Sequence, residues 1–272
     1  MRIASIACKY IILSAAALFL AFPIYWMITG AFKPSLSLWA TPPEWFPKTF
    51  TLLHFEQLFD RKPTLRWMFN SLFTSMAGVC LILLFCSMAG YAYAKKKFPG
   101  HQLLFFLVIA TMMMPRQVTL VPLYLLISDL GLLDSYSGLL LPILAFPFGV
   151  FLVRQFVRYI PDDLLQAASM DGAGEVRIFV QMILPLLRPA LGALAIFSFM
   201  AVWNDYIWQL IVLQKETMKT LPLGVSSLIR EGMSINYGLA MAGGALAALP
   251  LIILFLSFQK SFINGIALGS EK

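Results

Sequence analysis

The sequence predicts an all-α integral membrane protein, and three observations carry the prediction. Hydrophobic residues make up 60% of the 272, charged residues only 12%, and mean hydropathy is +0.82. Any globular surface stays largely in contact with its solvent, so a chain this apolar fits lipid rather than water. Apolar segments near the twenty or so residues that cross a bilayer recur six times. The Lys and Arg residues behind the net charge of +7 fall mostly between those segments. Their expected role is to set topology, and no nucleic-acid partner is expected.

The segments are 10–32, 67–94, 103–127, 137–157, 189–213 and 239–262, taken together as one transmembrane domain over 1–272. The first follows Arg2 and Lys9 and mimics a signal peptide. Its apolar run from Tyr10 to Thr29 is too long for one and has no convincing cleavage site, so it reads as a retained span. The loop after it, 33–66, carries Pro34, Pro42, Pro43, Pro47, Trp39 and Trp45, and reads as an interfacial loop anchored by aromatics. Cys80 and Cys86 lie inside the second segment, Cys8 just ahead of the first, and no CxxC spacing exists. All three read as small apolar side chains, and the isolated His54 and His101 as no ligands. The third segment is interrupted by "MMMPRQ". Pro115 predicts a kink, and Arg116 must face protein or water. The sixth opens with "GLAMAGGALAALP", a small-residue face that lets helices approach closely.

Orientation follows from the short loops. "KKKFPGHQ", after the second segment, holds three lysines, whereas "SDLGLLDSYS", after the third, holds two acids and no base. The first loop is therefore expected inside and the second outside, which puts both termini and the stretch 158–188 in the cytoplasm.

That stretch breaks the apolar pattern with "QAASMDGAGEVRIFVQMILP". Pro161 suits a first helical turn, and Asp162 and Asp163 favour its positive end. The helix is expected to stop near Gly172. A second one is expected from Glu175, with an apolar stripe at Val176, Phe179, Val180 and Ile183 and its end at Pro185. Ala167, Ala168, Gly172, Ala173 and Gly174 leave the turn between them nearly bare, a shape suited to a cleft on another protein. A plain loop packed on its own protein is the alternative the residues leave open.

"IPDDLLQAASMDGAGEVRIFVQMILPLLRP" resembles the EAA loop of bacterial binding-protein-dependent ABC importer permeases. The matching positions are Ala167, Ala168, Asp171, Gly172, Ala173, Phe179, Leu184 and Pro185. Gln166 stands where the family has Glu. "GYAYAKKKFPGHQLLFF", "VPLYLLISDLGLLDSYSGLLLP", "WNDYIWQLIVL" and "QKSFINGIALGSEK" are similar, in order, to the carbohydrate-uptake branch and to its maltose-type second permease. The resemblance implies a type I ABC importer permease fold with six helices, a multi-pass location in the bacterial cell membrane and no enzymatic activity in this chain. It also implies a second permease subunit, two cytoplasmic ATPase subunits that hold ATP-Mg, and an extracytoplasmic solute-binding protein. The loop would then dock on the ATPase, and the solute would be a mono- or oligosaccharide. Two alternatives are an ion-coupled secondary transporter and an ABC permease for a non-sugar solute.

No HExxH, GxSxG or Walker A sequence occurs, so neither hydrolytic chemistry nor ATP binding is expected of this chain, and no metal. Polar side chains within spans mark a candidate translocation pathway: Asn70, Ser71, Thr74, Thr111, Arg116 and Gln117, with Asn204, Asp205 and Gln209 in the fifth span. In "WNDYIWQ", aromatic faces adjoin hydrogen-bonding groups, as in sugar sites. The plainer reading of Trp203, Tyr206 and Trp208 is an aromatic belt.

Overall fold

The computed structural model describes residues 2–229 and 236–267. Arg230 and the C-terminal residues after Ala267 lie outside the described residues. The described chain is helical and resolves into two compact units.

The first unit comprises residues up to Met68 together with 220–252. Its long helix α1, Arg2–Ala31, exposes nearly all its apolar side chains, as a helix facing lipid does without cost. The following loop is fastened rather than loose. Lys33 is buried, donates to the Glu44 carbonyl and lies 4.3 Å from the Trp26 ring centroid, while His54 bonds the Lys33 carbonyl at 2.9 Å. His54 is thus a buried brace. Trp39 and Trp45 stay exposed, Trp45 edge-on to Trp26. The short helix α2, Leu53–Arg61, closes the loop before α3, Thr64–Lys95, begins. Helix α13, Leu221–Ile229, packs its Val225 against Gly243 of α14, Tyr237–Ala267. The small-residue face read in the sequence does serve close approach.

The second unit holds Phe69–Lys219 and the residues from Ile253 on. Here α3 packs on α7, Pro147–Arg158, through Gly90, where a Cβ would fall 2.6 Å from Val153 and 2.9 Å from the Arg154 nitrogen. Only a missing side chain allows backbones that close. Ile82, Cys86, Val153, Val157, Ile178, Ile183, Leu187 and Leu194 form one buried cluster, which ties the helix ends to the 158–188 stretch.

The middle segments are broken where the sequence marked trouble, and more sharply than a kink. Segment 103–127 is α4, His101–Met112, and α5, Arg116–Asp129, at 105° to each other. Pro115 removes an amide and disfavours helical geometry in the residue before it, so the chain turns there. Each half, at about 1.5 Å per residue, is shorter than a bilayer core. Segment 137–157 is α6, Tyr136–Leu140, extended by a 3₁₀ turn to Leu144, followed by α7 with a 43° bend before Pro147. Segment 189–213 is two helices parted at Asn204–Asp205. Among the described residues, three helices are long and apolar enough to cross a membrane, or up to six if the bent pairs at 101–129, 136–158 and 175–203 each count as one span.

Candidate functional site

Two regions of the second unit gather the polar and exposed residues singled out in the sequence. The first is the stretch from Pro161 to Leu187. Helix α8, Asp162–Met170, has Pro161 as its N-cap and Asp162 and Asp163 in its first turn, favourably placed at the positive end of the helix dipole. It ends in a double backbone closure. The Gly172 amide donates to the Ser169 carbonyl at 3.1 Å and the Ala173 amide to the Ala168 carbonyl at 3.0 Å, a Schellman motif. Gly172 occupies the left-handed position with φ +80°, which glycine alone adopts freely, and a Cβ there would meet nothing within 4 Å. The bend therefore needs glycine for conformation, not for room inside the protein.

The second helix departs from the sequence expectation. Helix α9, Glu175–Ile178, widens into a π turn over Phe179–Ile183 and continues as α10, Leu184–Leu186. Pro185 lies inside the helical path instead of ending it. Its ring would clash with the Gln181 carbonyl of a regular helix, and the wider turn just before it relieves that clash. The extra residue per turn rotates the buried face. Ile178, Ile183 and Leu187 are in the core, while Val176 and Val180 of the expected stripe are exposed. The path then turns by 77° into α11, Arg188–Trp203.

On the outer surface, Gln166, Ala167, Asp171, Gly172, Gly174 and Pro185 are exposed, and Ala168, Ala173 and Phe179 are half-buried. Met170, 83% exposed, and Val176, 77% exposed, flank the turn with Leu164 and Val180. Two ion pairs tie this surface to the end of α3: Lys95 to Asp162 at 2.6 Å and Lys96 to Glu175. The Tyr91 hydroxyl also donates to Glu175 at 3.2 Å. The hydrogen bond from Lys96 holds the Glu175 carboxyl below the usual carboxylate range, against the opposing pull of partial burial. Burial works to lower the Lys96 ammonium, but its bond to Glu175 and the nearby charges outweigh that and raise it. The sequence reading missed these tethers. The run of three lysines and an acid opening α9 were their signal.

The second region surrounds Asn204–Asp205, between α11 and α12, Tyr206–Val212. The Arg116 guanidinium, at the start of α5, donates to the Asp205 carboxylate at 2.8 Å. Arg116 is 71% exposed and Asp205 only 12%, so the pair sits on the wall of an open cavity of about 390 Å³. Gln117, Thr119, Asn204 and Tyr206 share that wall with Leu123 and Trp208. The structure thus brings Arg116, Gln117, Asn204 and Asp205 together from two separate helix breaks.

Asn70, Thr74 and Gln209 are placed differently. Asn70 is fully buried, donates to the Thr217 and Lys219 carbonyls at 2.9 and 2.8 Å, and accepts from the Tyr136 hydroxyl at 2.7 Å. Thr74 bonds the Asn70 carbonyl, and Gln209 the Val202 carbonyl. These groups fix helix ends from within. Trp203 and Trp208 are also buried, with the Trp208 indole donating to the Gly138 carbonyl at 3.2 Å, so neither forms a lipid-facing belt. Among the described residues, no cluster of three His, Cys, Asp or Glu could hold a metal ion.

Comparison with known proteins adds three findings. Residues 83–267 match the family described as "Binding-protein-dependent transport system inner membrane component". The arabinooligosaccharides transport system permease protein AraQ of Bacillus subtilis is 40% identical over 92% of this chain and 90% of its own length. The maltodextrin transport system permease protein MdxG of the same organism is 32% identical over 97% and 95%. A chain of a bacterial ABC transporter that imports the acidic polysaccharide alginate superposes with a TM-score of 0.84 at 24% identity, over 96% of this chain and 97% of that one.

Proposed function

Because the chain belongs to the binding-protein-dependent transport system inner membrane components, we propose that it is one of a pair of permease subunits in an ATP-driven sugar importer. It is a multi-pass membrane transport component and not an enzyme. In the proposed assembly the whole chain forms half of the translocation pore, with six spans and both termini inside. Two ATPase subunits carry ATP-Mg, and a solute-binding protein delivers a mono- or oligosaccharide. The names of the relatives support sugar as the solute class.

One observation carries the reading of the 162–185 surface. Its backbone is closed on itself while its outer face offers small and apolar groups, the form of an element that enters a groove on another protein. Gln166, Ala167, Ala168, Asp171, Gly172, Ala173, Phe179 and Pro185 are the proposed ATPase-docking residues. The tethers from Lys95 and Lys96 make this surface move with the end of α3. The buried chain Ile183–Leu187–Leu194 passes the same displacement into α11, whose far end carries Asn204 and Asp205. ATPase closure can shift the permease only if the docking surface binds the closed and open ATPase pair with different affinity.

Reconstituted complex in vesicles tests both topology and energy source. Single cysteines at Thr49 and Thr217 should react with an impermeant reagent from outside, and those at Lys96 and Ser169 only after permeabilisation. Uptake should stop when the ATPase's Walker lysine is replaced and should persist when the proton gradient is collapsed at constant ATP. External labelling at Ser169 overturns the docking assignment, and loss of uptake with the proton gradient overturns the ATP-driven reading.

A further inference from the structure

We propose that the cavity beneath α8, at the joint ends of α3 and α7, binds a phosphate group. The phosphate is carried either by an anionic phospholipid headgroup or by a soluble phosphate ester. The cavity encloses about 730 Å³ and is lined by Lys95, Lys96, Lys97, His101, Arg154 and Arg158 against two carboxylates, Asp162 and Glu175. Both carboxylates are committed, Asp162 to Lys95 and Glu175 to Lys96. Among the described residues no carboxylate pairs with Lys97, Arg154 or Arg158. A positive surplus therefore faces a space large enough for a ligand.

The two arginines suit a tetrahedral oxyanion, which offers a planar guanidinium two oxygens at a time. Arg154 is anchored from behind: its Nε donates to the Tyr93 carbonyl at 3.3 Å and its guanidinium lies 3.8 Å from the Phe105 ring centroid. Arg158 follows one turn later on α7, so the two like charges share a helix face, an arrangement that costs stability until an anion sits between them. Guanidinium forks match phosphate oxygens in geometry as well as charge. Tyr91 and Tyr93 also line the cavity, and aromatic groups of this kind mark the headgroup level of a membrane, where basic hollows between helix ends take anionic headgroups. Because Gln166 and Ser169 of α8 form part of the same wall, an occupant bears directly on the helix behind the turn.

The proposal goes beyond the transport role and rests only on the inward placement of this face, which the labelling experiment reads separately. The test uses the purified assembled complex in nanodiscs of phosphatidylcholine alone, or of two parts phosphatidylcholine to one part phosphatidylglycerol. Native mass spectrometry counts retained phosphatidylglycerol, and calorimetry with inorganic phosphate and glycerol phosphate reads the soluble source. The double variant Arg154→Gln, Arg158→Gln should lower retention of the preferred ligand at least about tenfold, because each charge-assisted bond lost is worth that order. Arg177→Gln, which bonds Gln181 outside the cavity, should leave it unchanged. Arginine-dependent retention of phosphatidylglycerol assigns a lipid site, and arginine-dependent phosphate binding in phosphatidylcholine assigns a soluble one. If neither ligand binds in an arginine-dependent way, or if the double variant sheds the ATPase subunit while ligand binding is unaltered, the proposal is wrong and the charges serve a protein contact.

Discussion

The turn at Asp171–Gly174 and the break at Asn204–Asp205 both interrupt helices of the same unit, yet only the break adds side-chain bonds to its backbone closure. At the turn, backbone amides bond backbone carbonyls and no side chain is needed, so the outer surface is free to be small and apolar. At the break the backbone closes too, the Asn204 backbone amide on the Met200 carbonyl at 3.1 Å and the Asp205 amide on the Val202 carbonyl at 3.3 Å, but polar side chains are added to it. The Asn204 side chain donates to the Met200 carbonyl at 3.0 Å, and Asp205 takes the Arg116 guanidinium from another helix. In the proposed docking role, a surface that must fit a protein partner keeps its hydrogen bonds to itself. In the proposed pathway role, a surface that faces water and solute hydroxyl groups keeps polar side chains in view, where they can exchange partners.

The sharpest way to break that comparison is to disturb the turn without touching its contacts. Gly172→Val places a β-branched residue at φ +80°, a strain of about 1–3 kcal/mol, and adds bulk on a face where the protein itself has nothing within 4 Å. ATP hydrolysis coupled to sugar should be abolished while the subunit still inserts. Gly174→Ala, at an ordinary φ of −70° and equally unobstructed, should couple normally. Normal coupling in Gly172→Val, measured as sugar-stimulated hydrolysis in liposomes, would mean that the turn's shape is not what the partner reads.

A second substitution separates internal polar groups from those in view. Asn70→Ala removes the shared partner of the Tyr136 hydroxyl and the Thr217 and Lys219 carbonyls, at about 1–3 kcal/mol in all, because these groups are only partly buried and water can replace some of what is lost. Thermal unfolding in detergent should shift down by several degrees, and the transport remaining per folded complex should be near normal. If stability is unchanged and sugar selectivity shifts instead, Asn70 belongs with the cavity at Asp205.

Much of this architecture was legible in the sequence. Segment positions follow from the apolar runs, and the stop near Gly172 follows from a glycine set after a short helical run. Pro115 marked its break as well. What escaped was everything that depends on residues distant in the chain. No local pattern says that Asn70 faces Tyr136 across 66 positions, or that Lys96 meets Glu175 across 79. The π turn before Pro185 also escaped. A proline can end a helix or widen it, and the choice falls to the burial of Ile183 and Leu187 on the far side.

The pair at the break should give a smaller effect than either substitution above. Arg116 is largely exposed, so the net worth of its bond to Asp205 is about 1 kcal/mol or less. Arg116→Gln and Asp205→Asn should each lower uptake by no more than about fivefold, the factor that such an energy commands. The exchange Arg116→Asp with Asp205→Arg should recover part of the loss. An exchange no better than either single variant would show that each charge acts on solute alone and not through the pair.

The smallest effect is in the pH response of the tether from Lys96 to Glu175. The folded carboxyl is lowered, so the bond contributes fully above the ordinary Glu range and is lost as pH falls through the folded value, below 4.5. The folded ammonium is raised, so its contribution is complete below 10.5 and disappears only as pH climbs past that. Between those limits the tether does not titrate. Glu175 is 64% exposed and Lys96 40%, which keeps its worth within the range of a surface pair, about 0–1 kcal/mol. Retention of the ATPase subunit in pull-down should therefore be flat from about pH 5.5 to 9 as far as this pair is concerned, and should weaken slightly at the acid limit. Glu175→Gln should remove that acid-side loss while starting from marginally weaker retention at neutral pH. An acid-side loss that persists undiminished in Glu175→Gln assigns it to another carboxylate on the same surface, of which Asp162, bound to Lys95, is the first to replace.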